Sequence, residues 1–166
     1  MTRVGAVVAS VVATLAVVTL IAARPWETVP TQPLAFSHKV HAGEYEIPCL
    51  YCHVHAGRSA IAGIPSVERC MGCHAIMKAD KAAEVKKIQE YWDRQEPIPW
   101  IRIYDQPDFV HFSHKRHVLK GIACKTCHGA VETMDRVQKA VVLDMDRCVA
   151  CHMEKKANID CLTCHQ

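Results

Sequence analysis

The sequence predicts a mostly helical and irregular chain with little β-structure and one N-terminal transmembrane helix. Three observations carry that expectation. Residues 4–23 run for 20 positions without a charge between Arg3 and Arg24. All ten cysteines fall in short Cys-x-x-Cys-His motifs, with no βαβ pattern around them. Beyond the apolar stretch about 142 residues remain, the size of one domain or two very small ones, and the whole chain has only three Trp, three Phe and four Tyr. That is thin material for a conventional core, so something other than side chains must fill the interior.

The apolar stretch is the first element. At 1.5 Å per residue, 20 helical residues reach about 30 Å, the thickness of a bilayer's hydrocarbon core. A cleaved signal peptide is the competing reading, helped by the small residues Ala22 and Ala23. Signal h-regions run only to about 7–15 residues, so an uncleaved anchor is expected. One Arg on each side sets orientation weakly, and the free amino terminus favours the Met1 end inside. The stretch has no acidic residue and no His, hence no proton-handling group for a quinone. It reads as an anchor alone.

The motifs are Cys49-Leu-Tyr-Cys52-His53, Cys70-Met-Gly-Cys73-His74, Cys124-Lys-Thr-Cys127-His128, Cys148-Val-Ala-Cys151-His152 and Cys161-Leu-Thr-Cys164-His165. Two thiols at this spacing can each add to one vinyl group of a haem, and the adjacent His then lies under the iron. A zinc ribbon needs pairs of pairs, and five leaves one over. A thioredoxin-like site needs a βαβ setting. A disulfide scaffold does not explain a His after every pair. The sequence therefore predicts five covalently bound haem c groups, with His53, His74, His128, His152 and His165 as proximal ligands. Haem attachment of this kind belongs outside the cytoplasm, which puts the bulk of the chain on the periplasmic side of a single-pass anchor.

Six histidines remain for the second axial positions: His38, His41, His55, His111, His114 and His117. An internal repeat organises four of them. Phe36-Ser37-His38-Lys39-Val40-His41 precedes the first motif, and Phe112-Ser113-His114-Lys115-Arg116-His117 precedes the third. Histidines at i and i+3 can face two different haems, with the Phe beside a porphyrin. The repeat divides the chain into a two-haem unit at 34–78, a connector at 79–107 and a three-haem unit at 108–166. In the first unit His38 and His41 close the count. In the second, His114 and His117 leave one iron short.

This three-haem unit resembles the class III multihaem cytochromes c, whose three-haem members open with F-x-H-x-x-H and space their motifs by about 24 and 13 residues; Cys124, Cys148 and Cys161 are spaced by 24 and 13. In that family the missing ligand is a His shortly before the second motif. No His lies between His128 and His152 here, and Met145, three residues before Cys148, is the substitute expected. Met134, His55 and His111 stay open as alternatives. A His/Met haem has a higher potential than bis-His neighbours.

In the connector, residues 80–94 read as a helix capped by Asp80, with an apolar stripe of Val85, Ile88 and Trp92, and stopped by Pro97. The following Pro97-Ile98-Pro99-Trp100-Ile101-Arg102-Ile103-Tyr104 is fixed as extended by two prolines. It either ties the units together or docks a partner strand.

The formal charge of +3 does not point to nucleic acid. Five haems bring about ten propionates against about five ferric charges, which leaves the loaded protein mildly acidic. Taken together, FSHKVHAGEYEIPCLYCH, GIPSVERCMGCH and PIPWIRIYDQPDFVHFSHKRHV resemble the pentahaem subunit of alternative complex III over nearly the whole chain. The resemblance implies a non-catalytic electron-transfer subunit. Its partners would be a polytopic quinol-oxidising subunit, an iron–sulphur subunit and a monohaem cytochrome c, with a cytochrome or terminal oxidase downstream. Two other classes compete. A small membrane quinol dehydrogenase feeding a periplasmic reductase has a Met soon after its first motif, whereas here Met77 and Met153 follow the second and fourth. A catalytic multihaem reductase needs an open iron, commonly from a variant motif, and all five motifs end in His.

Overall fold

The computed structural model describes residues 29–77 and 82–165, with residues 5, 10–15 and 19 of the N-terminal segment. Most of the expected anchor at 4–23 thus lies outside the described residues. Among those described, no helix is long and apolar enough to cross a membrane.

Short helices follow from what the motifs require. Cysteines three apart stand on one side of a helical turn; a single turn is built at the first, third and fifth motifs, and helices of 8 and 10 residues at the second and fourth. The first unit opens with a π-helical turn, Lys39–Glu44, then α1 (Cys49–Cys52) and α2 (Val67–His74). The connector holds α3 (Ala83–Asp93). The second unit has α4 (His114–Leu119), α5 (Lys125–His128), a 3-10 turn at Val131–Thr133, α6 (Met145–Glu154) and α7 (Cys161–Cys164). Two caps set the last helices: Asp144 accepts from the Arg147 N–H at 2.8 Å, and Asp160 from the Leu162 N–H at 2.9 Å. Among the described residues the only β-pairing is an isolated antiparallel bridge, Val110 with His165.

The helix expected at 80–94 starts later than the sequence suggests. It begins at Ala83 after Ala82, with no side-chain cap, and Asp80 lies outside the described residues. Its inward stripe also differs. Ile88 is buried, but Tyr91 rather than Trp92 packs beside it, and Trp92 is 43% exposed. Both are one turn on from Ile88; the extended connector lies on the Tyr91 side.

Side-chain core is scarce, as the composition implied. The buried apolar cluster is Leu34, Val67, Met71, Ile88 and Ile98, with Tyr91 and Trp100 partly buried against it. It serves the first unit. Elsewhere large apolar side chains such as Leu50, Tyr51, Phe109, Phe112 and Leu162 stand exposed around the motifs.

The connector ties the two units together. Gln32 makes two 2.8 Å bonds to the Ile101 backbone, while Tyr104 Oη accepts from the Ala140 N–H at 3.1 Å and Gln106 donates to the Leu143 carbonyl at 3.1 Å. The units also dock on each other reciprocally. Lys39 N–H donates to the Met134 carbonyl at 3.0 Å and Ser37 Oγ to Asp135 at 2.9 Å. In return, His114 N–H donates to the Ala60 carbonyl and Lys115 N–H to the Ser59 carbonyl, each at 3.0 Å. Each unit's opening turn rests on the loop after the other unit's first motif. Gly43 allows this contact, because a Cβ there would overlap the Glu132 carbonyl oxygen.

Gly129, directly after His128, has φ +73°, and a Cβ on it would stand 2.5 Å from that of Ala140. Gly129→Ala should therefore destabilise the haem-loaded protein by about 1–3 kcal/mol in denaturant titration. Gly57→Ala, whose added Cβ meets Val118 at an ordinary 3.8 Å, should stay within about 0.5 kcal/mol. Equal effects would show that the Gly129 backbone does not hold this turn.

Candidate haem-binding sites

The motifs define five sites, I to V in chain order, ending in His53, His74, His128, His152 and His165. Two imidazoles on opposite sides of one metal ion, each nitrogen about 2 Å from it, hold their ring centres about 6 Å apart. Four pairs meet that spacing. His38 faces His53 at 6.5 Å and His41 faces His74 at 6.1 Å. His114 faces His128 at 6.3 Å and His117 faces His152 at 6.0 Å. Within each repeat the first histidine thus faces the His of the nearer motif and the second histidine that of the next one.

The rings are also presented in the right tautomer. A ring nitrogen against a carbonyl oxygen must carry the proton, which leaves the other nitrogen's lone pair for a metal. Nδ1 of His41 donates to the Ser37 carbonyl and Nδ1 of His117 to the Ser113 carbonyl, both at 2.8 Å. His53 donates to Gly63 at 2.9 Å, His114 to Ala60 at 2.9 Å and His152 to Asn158 at 2.7 Å. Burial, aided by His53 and His41 nearby, lowers the His38 pKa to about 4, and burial lowers those of His74 and His128. Neutral rings are the ligand form. Nδ1 of His38 and of His74 are buried without a protein partner.

Phe36 and Phe112 sit at the histidines of the repeat. Each wedges against both histidines of its own repeat: Phe36 is 4.8 Å from His38 and 4.3 Å from His41, and Phe112 is 4.8 Å from His114 and 4.6 Å from His117. The wedge holds the two rings apart at fixed angles.

All ten cysteines are free thiols. Several are crowded together, which is what thioether attachment to closely spaced macrocycles requires. Burial chiefly raises the pKa of Cys124, and Cys49 close by adds to the rise. Cys52 feels Cys73, Cys127 feels Cys151 and Cys148 feels Cys164.

Site V differs from the others. The aromatic ring beside His165 is Phe109, at 5.8 Å, and no imidazole pairs with His165 among the described contacts. The four candidates for its second ligand separate by position. His55 packs on Gly63, whose carbonyl belongs to site I. The Met134 methyl lies 3.6 Å from a Cβ built on Gly129, beside site III, where His114 already faces the proximal ring. His111 donates its backbone N–H to the Cys164 carbonyl, but the bridge puts Val110, not His111, on the face of His165. Met145 is one turn before Cys148 on α6, hence on the same side as the thiol that feels Cys164, and is 65% exposed.

Sequence reasoning missed the carbonyls that orient the rings. Ser37 and Ser113 recur before the repeat histidines and could have been read as its signal; Ala60, Gly63 and Asn158 sit in loops with no local pattern. The histidine pairs, clustered thiols and missing side-chain core fit haem c.

Comparison with known proteins points the same way. A family model for cytochrome c7 and related cytochrome c matches residues 110–166, and one for the class III cytochrome C family matches residues 18–98. The multihaem cytochrome c subunit of a menaquinone reductase from Nitratidesulfovibrio vulgaris (strain Hildenborough) is 36% identical over 97 residues. That match takes in 58% of this chain and 45% of the relative's length. The class III match takes in the first unit and most of the connector, and the cytochrome c7 match takes in the second unit, so both motif-bearing units of the chain are similar to multihaem cytochromes c.

Proposed function

We propose that the chain is a membrane-anchored five-haem relay serving a quinone-linked membrane complex of the alternative complex III type. The observation that carries this reading is the set of four histidine pairs, each spaced for one shared iron and each built on a Cys-x-x-Cys-His motif. Haem c bound at the motifs supplies a one-electron ferric–ferrous couple. The chain's own residues do the rest. The cysteines fix five macrocycles in place, and the four facing histidine pairs fill both axial positions at sites I to IV, which closes those irons to exogenous ligands. At site V we assign Met145 as the second ligand, on its place one turn before Cys148. A thioether there makes site V the high-potential member of the set.

The charge-free stretch at 4–23 supports a single anchor with the N-terminus inside and the haem-bearing part on the periplasmic side. The partners proposed are a polytopic quinone-binding subunit, an iron–sulphur subunit and a monohaem cytochrome c. The resemblance to alternative complex III favours oxidation of quinol, with electrons leaving towards a cytochrome or terminal oxidase. The relative named as a menaquinone reductase subunit favours a second reading, in which electrons flow to quinone. Purifying the native complex and assaying it in both directions separates them: quinol-dependent reduction of these haems supports the first reading, haem-dependent quinone reduction the second.

A pyridine haemochrome determination on the purified chain should give five covalent haems, and a colourless or zinc-containing protein would overturn the proposal. Removing the imidazole in His114→Ala should leave one haem high-spin and able to bind carbon monoxide, while His55→Ala should leave the spectrum unchanged. Met145→Ala should also produce one carbon-monoxide-binding haem and abolish the highest-potential step of a redox titration, and Met145→His should lower that step instead. A titration insensitive to either Met145 change removes it from the ligand set.

A further inference from the structure

We infer that the five haem seats lie in the spatial order II–I–III–IV–V, so that the ends of the relay are site II in the first unit and site V in the second. This rests on the proposed occupancy of all five motifs by haem. The order is not that of the sequence, in which site II would stand between I and III.

Each link comes from a separate contact. Sites I and II are joined by one turn, whose histidines three residues apart face His53 and His74. Sites III and IV are joined in the same way by His114 and His117. The crossing between units runs from site I to site III. There the Nδ1 proton of His114 rests on the Ala60 carbonyl at 2.9 Å, in the loop after motif I, and the Cys124 thiol lies near enough to Cys49 to act on it electrostatically. The backbone bonds from Lys115 to Ser59 and from Lys39 to Met134, each 3.0 Å, seat the two openings around the same junction. Site II turns away from it: the groups that act on Cys70 and His74 are Cys52 and His41, both of the first unit, and Cys70 and Met71 pack against the apolar cluster. At the other end, the His152 ring of site IV is held at 2.7 Å on the Asn158 carbonyl, in the short loop that leads into the Cys161–Cys164 turn of site V, and the Cys148 thiol is near enough to Cys164 to feel it.

The reciprocal docking explains the order physically. A two-fold-like exchange of opening turns brings the first motif of each unit to the shared face and leaves each later motif outward. A donor and an acceptor therefore dock on different units.

The test uses the full five-haem protein. His41→Met raises the potential of site II, so that this seat stays reduced while the others titrate. The retained electron disfavours reduction of adjoining seats by charge repulsion, which falls off with distance. In a redox titration followed haem by haem through NMR of the haem methyl groups, His41→Met should lower the midpoint of site I alone, and His38→Met should lower those of II and III together. A response of both I and III to His41→Met overturns the order. Because a ligand variant can misfold, a second measurement is independent of potentials: Ser59→Cys/Lys115→Cys, across the 3.0 Å backbone bond, should form a disulfide by mass spectrometry in a chain that keeps five haems. Five haems without that cross-link overturn the I–III junction. A wild-type count below five instead overturns the haem reading itself.

Discussion

The constraint on which this protein depends is the bond from a histidine Nδ1 proton to a backbone carbonyl. It fixes the tautomer, aims Nε2 at the opposing ring, and couples the position of a metal ligand to the path of the main chain. His41 and His117 reach the carbonyl four residues back within their own turn, through Ser37 and Ser113. His53, His114 and His152 reach loop carbonyls of Gly63, Ala60 and Asn158. Loops with little regular structure are therefore part of the coordination apparatus. Gly63 shows this locally: with φ +72° it turns its carbonyl to His53, and a Cβ on it would stand 3.1 Å from the His55 ring.

A chain organised in this way has little to hold it together apart from its cofactor. One apolar cluster around Ile88 and Met71 stabilises the first unit, and among the described residues no large side chain is fully buried. Apolar side chains around the motifs find no cover within the chain, and burying them against a bound macrocycle would make cofactor attachment and folding one coupled event, as metal binding is in small metal-dependent domains. The free thiols make the same point. Burial chiefly, with Cys49 beside it, raises the cost of ionising the Cys124 thiol, and thioether formation removes that cost altogether.

Much of the site was legible in the sequence because its chemistry is written in local spacing. The cysteine pairs, the histidines after them and the i, i+3 histidines of the repeat are short-range patterns, and the structure brings His38, His41, His114 and His117 opposite four motif histidines. Local spacing says nothing about where a loop carbonyl lies. It therefore could not show that His114 is oriented by Ala60, 54 residues away, or that the opening turns exchange places. The stripe on α3 failed for a related reason. Tyr91 and Trp92 are equally good continuations from Ile88, and only the connector, folded back over one side, decides between them.

The same repeat accounts for what is uniform in the relay and what is not. The seats that meet at the junction have nearly parallel ring planes, 3° at site I and 7° at site III, whereas sites II and IV are tilted by 59° and 41°. In both units the tilted ring is the second of the repeat, and it is the one tethered to its own turn rather than across the junction. Duplication thus makes matched inner seats and matched tilted seats. The second unit then adds a third motif with no histidine of its own to serve it, and Asp144 starts the helix that carries Met145 into that part of the chain. The asymmetry of the relay, and hence any direction it imposes on electrons, comes from the element that the repeat does not duplicate.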